Sequence, residues 1–447
     1  MKNKITLLIG ILLTVTIISF IASCKKDDDN NTVTNNFLIR FEDDYISDYG
    51  WVVLHSLDGT EVIDYKKIEG DGVADFGIIN GGVVTFTIIN IDTSGYYDYY
   101  ISISSDLSSP CGNWIFRGGN YNDEPLGTAD ITMTYPEGNY SMYMLETTDG
   151  WYESYDVPYY GQINHQFNVD RLDKGNKYSL YGAVFTEKGG YCNWLLNQDF
   201  IVNTTNYFYL DLNKQLNTKS FETSKPLRYY YIYACWNQRN SNLFLYYDSY
   251  YDLQTNHIFI YPFDIPVNDL IFYGSGHEND YSSYSYCKYF NASTGLPDYM
   301  EIPNNTIFAD YNEITKEIEN INITGKADQI RGRWYYYNND SIYSSINWNV
   351  YANWDFTSIK RPVLPQEILD DIGNSINLIE TSGIGLTDYN TTSSHSDIIK
   401  RFYINDIPVN QRYDEAFYYY YYFDQYKSQD FHQRDRERYM NRKFQSR

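Results

Sequence analysis

A potential nucleophile, base and acid stand close together in one short segment, Gly274-Ser-Gly-His277-Glu278-Asn-Asp280. Serine, histidine and a carboxylate catalyse acyl transfer when separate segments bring them into one geometry. A linear cluster does not provide that geometry, and the chain has neither a Gly-x-Ser-x-Gly motif nor a phosphate-binding loop. We therefore predict that this segment is a turn and that it carries no catalytic triad.

The six histidines contain no HExxH motif and no other pair placed to bind zinc on one helix face. His165 lies in the pattern Ile163-x-His165-x-Phe167-x-Val169, which predicts a hydrogen-bonded histidine on the apolar side of a strand. Carboxylates are numerous, so a pair that cleaves glycosidic bonds remains an alternative. The distance between the two carboxyl groups defines such a pair, and a sequence does not give that distance. We predict no metal and no cofactor.

Four of the five cysteines are spread along the body of the chain without a CxxC or Cys/His zinc spacing: Cys111, Cys192, Cys235 and Cys287. In an exported chain, four cysteines permit three disulfide pairings. Buried thiols beside tryptophan, as in Cys192-Asn-Trp194, are the alternative. Both interpretations remain open.

The fifth cysteine, Cys24, follows a short basic start, an apolar run over residues 5–20 and two small residues. This layout is typical of an export signal, and an uncleaved anchor helix is the alternative. The segment Ile21-Ala22-Ser23-Cys24 closely resembles the lipobox of bacterial lipoproteins. The resemblance implies cleavage between Ser23 and Cys24, a signal peptide over residues 1–23, and fatty acylation of Cys24. Several acyl chains on one residue anchor a protein durably, whereas a single chain holds only marginally.

Residues 24–35 are polar and begin Cys24-Lys-Lys-Asp-Asp-Asp29. A lysine followed by acidic residues directly after the lipidated cysteine resembles the surface-export signal of Bacteroidota lipoproteins. The resemblance implies that the body lies outside the outer membrane, facing the medium. A plain solvated tether is the alternative, because such polar stretches do not bury enough apolar surface to fold.

The formal net charge of the whole chain is -24. Removal of residues 1–23 takes away Lys2 and Lys4, which leaves -24 - 2 = -26. An acidic surface repels nucleic acid and anionic headgroups and favours solubility. We therefore exclude nucleic acid as a partner and expect contact with the membrane through the lipid anchor.

The body reads as a series of short strands separated by turns. Val84–Ile88 alternates apolar residues with threonine, as a half-buried strand does, and Asp58-Gly59 and Asp71-Gly72 are hairpin signals. Turns recur at the spacing of antiparallel sandwiches. We predict a mainly β fold of tandem antiparallel β-sandwich modules, Ig-like or transthyretin-like, with a short helical C-terminal region. The predicted bounds are 36–122 for the first sandwich, 124–214 for the second and 215–360 for a β-rich third domain.

Residues 361–447 form the predicted helical and loop region. Proline followed by early acidic residues favours a helix from Pro365 to Ile372, and the Gly/Ser/Thr content of Ser382–Ser396 favours a loop. The segment Asp424–Arg447 is basic, in contrast to the rest of the chain. It is interpreted either as a tail that docks on the acidic body of the chain or on an anionic surface, or as a frayed, solvated C-terminal helix.

The chain contains 51 tyrosines, several of them in consecutive runs such as Tyr229–Tyr231 and Tyr418–Tyr422. Neighbouring residues of a strand point to opposite faces, so we expect each run to expose about half its rings unless both faces are covered. Exposed rings bind glycan or protein partners. The leading hypothesis is therefore a lipid-anchored, non-catalytic binding or adhesion protein. The alternatives are a secreted carboxylate-dependent hydrolase and a purely structural envelope protein.

Overall fold

The computed structural model of the chain describes residues 36–423, except 94–97, 119–124, 141, 148–149, 155–160, 171, 173–175, 187–188, 215–217, 237–240, 250–258, 263–268, 339–342 and 408–410. Most of the described residues lie in β-strands, so the predicted mainly β fold is confirmed. The predicted signal peptide, Cys24, the predicted tether and the basic segment Asp424–Arg447 lie outside the described residues.

The first strands fall into three sets of seven, called modules 1, 2 and 3. Module 1 contains β1 Asn36–Glu42, β2 Tyr49–His55, β3 Val62–Glu69, β4 Gly72–Ile78, β5 Val83–Asp92, β6 Asp98–Pro110 and β7 Gly112–Arg117. Module 2 contains β8 Gly127–Thr134, β9 Met142–Thr147, β10 Gly150–Ser154, β11 Gln162–Val169, β12 Lys177–Thr186, β13 Gly189–Asp199 and β14 Thr205–Asp211. Module 3 contains β15 Thr218–Thr223, β16 Tyr229–Trp236, β17 Ser241–Ser249, β18 Phe259–Pro262, β19 Asp269–Asn279, β20 Ser282–Asn291 and β21 Tyr299–Met300.

All three modules share one topology. Each has a three-stranded sheet, in the orders β4-β1-β7, β11-β8-β14 and β18-β15-β21, and four further strands in the orders β3-β2-β5-β6, β10-β9-β12-β13 and β17-β16-β19-β20. In each three-stranded sheet the first strand of the module pairs antiparallel with the fourth and parallel with the seventh. The tandem sandwiches are therefore mostly antiparallel, and each closes with one parallel pair.

Module 4 contains β22 Thr306–Asn312, β23 Glu317–Thr324, β24 Gln329–Asn338, β25 Tyr343–Asn353, β26 Glu380–Tyr389 and β27 Glu415–Tyr422. Between β25 and β26 lie helix α1 (Gln366–Ile372) and a 3-10 helix (Asn374–Leu378). Helix α2 (His395–Ile399) and a π-helical turn (Lys400–Ile404) precede β27. Helix α1 confirms the helix predicted after Pro365. Among the helices of the described residues, none is long and apolar enough to cross a bilayer.

The four-stranded sheets of modules 3, 4 and 1 join edge to edge into one twelve-stranded sheet, β17-β16-β19-β20-β27-β26-β24-β25-β6-β5-β2-β3. Strand β20 pairs antiparallel with β27, and β25 pairs parallel with β6. The predicted boundary between residues 360 and 361 is therefore wrong, because β26 and β27 complete the sheet of β24 and β25. Strands of module 2 pair only among themselves within the described part of the chain.

The predicted loop at Ser382–Ser396 is also wrong over its first half, because β26 runs through it. Its glycines make room for the rings of β27. A Cβ atom on Gly385 would lie 2.9 Å from the ring of Tyr420, and one on Gly383 would lie equally close to the same ring. The small residues of this segment therefore reflect close packing against tyrosine.

Module 2 has its own hydrophobic core between its two sheets. Ile131 of β8 and Phe208 and Leu210 of β14 pack there with Tyr178 and Leu180 of β12. Complete burial of such a side chain contributes about 1.5–3 kcal/mol to stability. The inward residues of β8 and β14 therefore fix which side chains of the same strands point outward.

His55 of β2 provides a test of the packing in the twelve-stranded sheet. Its Nε2 atom lies 2.9 Å from Thr87 Oγ1, its Nδ1 atom has no hydrogen-bond partner among the described residues, and burial lowers the pKa of His55 to about 4. Between pH 6.5 and 4 the unfolded chain therefore binds more protons than the folded chain, so acidification removes stability.

We expect the free energy of unfolding to fall by about 3 kcal/mol more in the native protein than in His55→Gln between pH 7 and pH 4. Chemical denaturation at the two pH values, followed by tryptophan fluorescence, measures the difference. Equal pH dependence in both proteins would mean that His55 is not a buried neutral histidine.

Candidate functional site

The seventh strand of module 2, β14, alternates strictly between buried and exposed residues. Phe208 and Leu210 are buried, whereas Tyr207 and Tyr209 are 68% and 69% exposed. Residues two apart in a strand lie on the same face, about 7 Å from one another. The two rings therefore form an exposed pair on one face of β14.

The outward positions of the sheet β11-β8-β14 surround this pair with hydroxyl, amide and carboxyl groups. This face is called the aromatic platform, and its residues are Thr128, Asp130, Thr132, Thr134, Gln162, Asn164, Gln166, Asn168, Thr205, Tyr207, Tyr209 and Asp211. The four positions of each strand span about 20 Å, at about 7 Å per interval. The platform thus combines many hydrogen-bonding groups with two exposed rings.

Strand register places the platform residues in rows across the sheet. Tyr207 lies opposite Asp130, which lies opposite Gln166. Gln166 Nε2 donates a hydrogen bond of 3.1 Å to Asp130 Oδ1. A carboxylate has about four lone-pair sites, so Asp130 keeps capacity to accept further hydrogen bonds.

The next row has the same layout, with Tyr209 opposite Thr132 and Thr132 opposite Asn164. Thr132 Oγ1 donates a hydrogen bond of 2.9 Å to Asn164 Oδ1. The buried side chain of Asn206 holds the strand itself, since its amide accepts from the backbone of Ile201 and donates to its carbonyl. In both rows, the polar platform side chains therefore have hydrogen-bond partners within the sheet.

The charge of the platform is negative. Its two ionisable acids are Asp130 and Asp211, and none of its twelve residues is lysine or arginine. Like charges repel across an interface, so the face disfavours anionic ligands. It offers rings, amides and hydroxyls, which suit a neutral ligand rich in hydroxyl groups.

The same sheet in modules 1 and 3 has a different surface. In module 1, the outward residues of β7 include Asn113, Ile115 and Arg117, and Arg117 Nη2 lies 2.9 Å from Glu42 Oε2. In module 3, β21 presents a single exposed ring, Tyr299, opposite Glu222. The tyrosine pair is therefore a property of module 2 and not of the repeated topology.

Among the described tyrosines of the consecutive runs, none is exposed. For the run in β27, this is the exception that the expectation allowed, a strand covered on both faces. Both faces of β27 are covered, since Phe417 stacks on Tyr284 and Tyr418 meets the edge of Tyr389. The exposed pair in β14 lies instead in an ordinary alternating strand, which is the one sequence signal that identifies it.

A serine, a histidine and an aspartate do meet in the core, at the junction of modules 4 and 1. His395 Nε2 lies 3.1 Å from Ser109 Oγ and 3.4 Å from Asp106 Oδ1, while Gln329 Nε2 lies 2.7 Å from His395 Nδ1. A triad requires the acid and the nucleophile on opposite nitrogens of the base. Here both are on Nε2 and all three residues are buried, so the cluster holds β6, α2 and β24 together.

The segment Gly274–Asp280 is not a turn over most of its length, because β19 continues to Asn279. A Cβ atom on Gly276 would lie 2.5 Å from the hydroxyl of Tyr284, so glycine is needed for close packing in the strand. Ser275 Oγ donates to the carbonyl of Tyr284, and His277 Nε2 faces Arg228 Nη1 at 3.1 Å. Serine and histidine thus have separate structural partners. His165 also has a structural partner, the hydroxyl of Tyr143 at 3.0 Å.

A cavity of about 430 Å³ lies beside the turn after β2, and its lining includes Lys360 and the carboxylates of Asp58, Glu317 and Asp355. Hydrogen bonds from the hydroxyls of Ser56 and Thr60 lower the pKa of Asp58 to about 2. Asp58 is therefore ionised at neutral pH and cannot donate the proton that glycoside hydrolysis requires. Within the described residues, no three His, Cys, Asp or Glu side chains gather as a metal site would need.

Two of the four body cysteines are described with their side chains. Cys111 and Cys287 are buried, and burial raises the pKa of Cys111. Of the two predicted states, disulfide or buried thiol, these two residues are in the buried-thiol state. Cys192 and Cys235 belong to β13 and β16, and their side chains lie outside what is described.

No protein family and no curated protein matches the chain. Among solved structures, similarity is found to Salmonella alpha-2-macroglobulin reacted with methylamine, with 8% identity over 77% of this chain and a TM-score of 0.11. This chain spans only 27% of the length of that protein. An ice-binding, Ca²⁺-stabilised adhesin from an Antarctic bacterium has 7% identity over 78% of this chain and 88% of its own, with a TM-score of 0.12. A structure concerning Dscam isoform specificity has 8% identity over 67% of this chain and 91% of its own, with a TM-score of 0.11.

Proposed function

We propose that this chain is a lipid-anchored protein of the bacterial outer membrane that binds a neutral glycan at the cell surface without catalysis. The observation that carries the proposal is the pair of exposed rings, Tyr207 and Tyr209, set among hydrogen-bonded amide, hydroxyl and carboxyl groups. The apolar C–H face of a sugar ring packs on tyrosine, while hydroxyls at its rim donate to carboxylates and exchange hydrogen bonds with amides.

A glycan suits the platform better than a protein does. A stable protein interface buries about 800 Å² per partner, and its centre is apolar and depleted of charge. The platform has only two rings at one edge, while the remaining positions are polar and include Asp130 near the centre. Such a surface matches a ligand that is itself covered with hydroxyl groups.

The localisation rests on the sequence near Cys24. The segment Ile21-Ala22-Ser23-Cys24 resembles a lipobox, and the acidic stretch after Lys26 resembles a surface-export signal. Acylation of Cys24 would hold the chain at the membrane, and the polar tether would separate the modules from it. A protein held in this way meets extracellular polysaccharide directly.

Affinity gel electrophoresis of the chain from residue 25 onward tests the function. We expect gels containing glucan, mannan or xylan to retard the protein in at least one case, and we expect polygalacturonate not to retard it, because the platform carries Asp130 and Asp211. We also expect no release of reducing ends.

The proposal is wrong if no neutral polysaccharide retards the protein. Release of sugar products would support the carboxylate-dependent hydrolase instead, and a protein inert in both assays would support the structural envelope role.

A further inference from the structure

The position of the tyrosine pair at the margin of the sheet constrains how a sugar polymer lies on it. Strand β14 is an edge strand of the sheet β11-β8-β14. Within the sheet, the neighbouring strands that accompany the rings, β8 and β11, therefore lie on one side of β14. On the other side of Tyr207 and Tyr209, the sheet ends.

The rows of the platform repeat along the strand direction. Tyr207 with Asp130 and Gln166 forms one row, and Tyr209 with Thr132 and Asn164 forms the next, about 7 Å further along. A ligand that contacts both rings must run parallel to β14. One margin of such a ligand faces the polar groups of β8, and its other margin lies beyond the last strand of the sheet.

The described residues at both ends of this path are exposed. The end positions on β14 are Thr205 and Asp211, both exposed, and Gln162 and Asn168 are exposed at the ends of β11. A site that selects a chain end must enclose that end, as a pocket does. A strip with exposed ends accommodates a polymer that continues beyond it in both directions.

We infer, on the basis of the proposed function, that the platform binds an internal segment of a neutral polysaccharide lying along β14. Only one margin of the polymer contacts the protein, through Asp130 and the amides of β11. Branches on the margin that lies beyond β14 are therefore tolerated, and a free chain end is not required.

The test uses matched neutral probes in binding assays with the chain from residue 25 onward. Mannan is compared with galactomannan, and glucan with xyloglucan. Each polymer is also tested after borohydride reduction of its reducing ends, and oligosaccharides of increasing length complete the set. We expect reduced and unreduced polymers to bind within about twofold of each other. We also expect the branched partner of the bound polymer to bind within about tenfold, and affinity to rise with oligosaccharide length.

The opposite results separate this inference from the proposed function. A monosaccharide that binds as tightly as the polymer, a loss of binding after borohydride reduction, or exclusion of the branched partner would overturn the inference and leave a glycan-binding protein. Absence of binding to every neutral probe would overturn both.

Asp130→Asn tests the contact on the polar margin with little risk to folding, because the substitution conserves size at a half-buried surface position. We expect binding of the linear polymer to weaken about five- to tenfold. Asp75→Asn, on the corresponding sheet of module 1, is the matched control and should bind like the native protein. Equal binding by native protein and Asp130→Asn would contradict a ligand margin at β8.

Discussion

Replacement of both Tyr207 and Tyr209 by alanine is expected to weaken binding of the retained neutral polysaccharide by about 700-fold or more. Truncation of an aromatic side chain that dominates an interface costs about 2 kcal/mol or more, and two such losses correspond to this range. Both rings are largely exposed, and substitution of exposed residues usually changes stability by about 0.5 kcal/mol or less. Isothermal titration with the polysaccharide measures the affinity, and thermal denaturation checks the fold.

Two variants make this result specific. Tyr299→Ala removes a ring that is 56% exposed on the corresponding sheet of module 3, and its affinity should equal that of the native protein. The double variant Tyr207→Phe with Tyr209→Phe keeps the ring faces and should bind within about fivefold, since it loses only two hydroxyls. Native affinity in the double alanine variant would place the ligand elsewhere on the molecule.

Replacement of Cys24 by alanine is expected to abolish fatty acylation and display at the cell surface. The thiol of this residue is the predicted site of lipid attachment, so its removal leaves no atom to carry the acyl group. Metabolic labelling with an alkyne fatty acid should fall to background. Protease treatment of intact cells should no longer degrade the protein.

The control is Cys111→Ala, which removes a buried thiol and leaves the predicted lipobox unchanged. This variant should be labelled and displayed like the native protein. Equal labelling of native protein and Cys24→Ala, or a native protein with an intact Met1, would contradict the predicted anchor.

Local patterns were enough to predict the strands and the tandem sandwiches, because alternation and Asp-Gly turns are local properties of the chain. The edge-to-edge joining of modules was not predictable in the same way. Tyr343–Tyr351 pairs with Asp98–Asp106, more than two hundred residues earlier, and no local pattern encodes such a partner. The glycines of β26 were misinterpreted for a related reason, since their role depends on rings of β27.

The exposed tyrosine pair could have been predicted from the sequence of β14, but the prediction concerned the consecutive tyrosine runs. Runs such as Tyr418–Tyr422 are conspicuous, yet β27 lies inside the twelve-stranded sheet with both faces covered. Tyr207 and Tyr209 alternate with Phe208 and Leu210, which is the pattern of a strand with one solvent-exposed face. The side chains next to two exposed rings can be amides or ion pairs, depending on which strands pair with theirs. That pairing is a property of the three-dimensional fold.

Chemical modification of tyrosine in the presence of ligand tests the central claim most directly, because it needs no substitution. Nitration followed by mass spectrometry reports the accessibility of Tyr207 and Tyr209, with Tyr281 and Tyr299 as exposed internal references. We predict that a saturating neutral polysaccharide protects Tyr207 and Tyr209 and leaves both references reactive. Unchanged reactivity of the pair while the polysaccharide is bound would show that the platform is not the binding site.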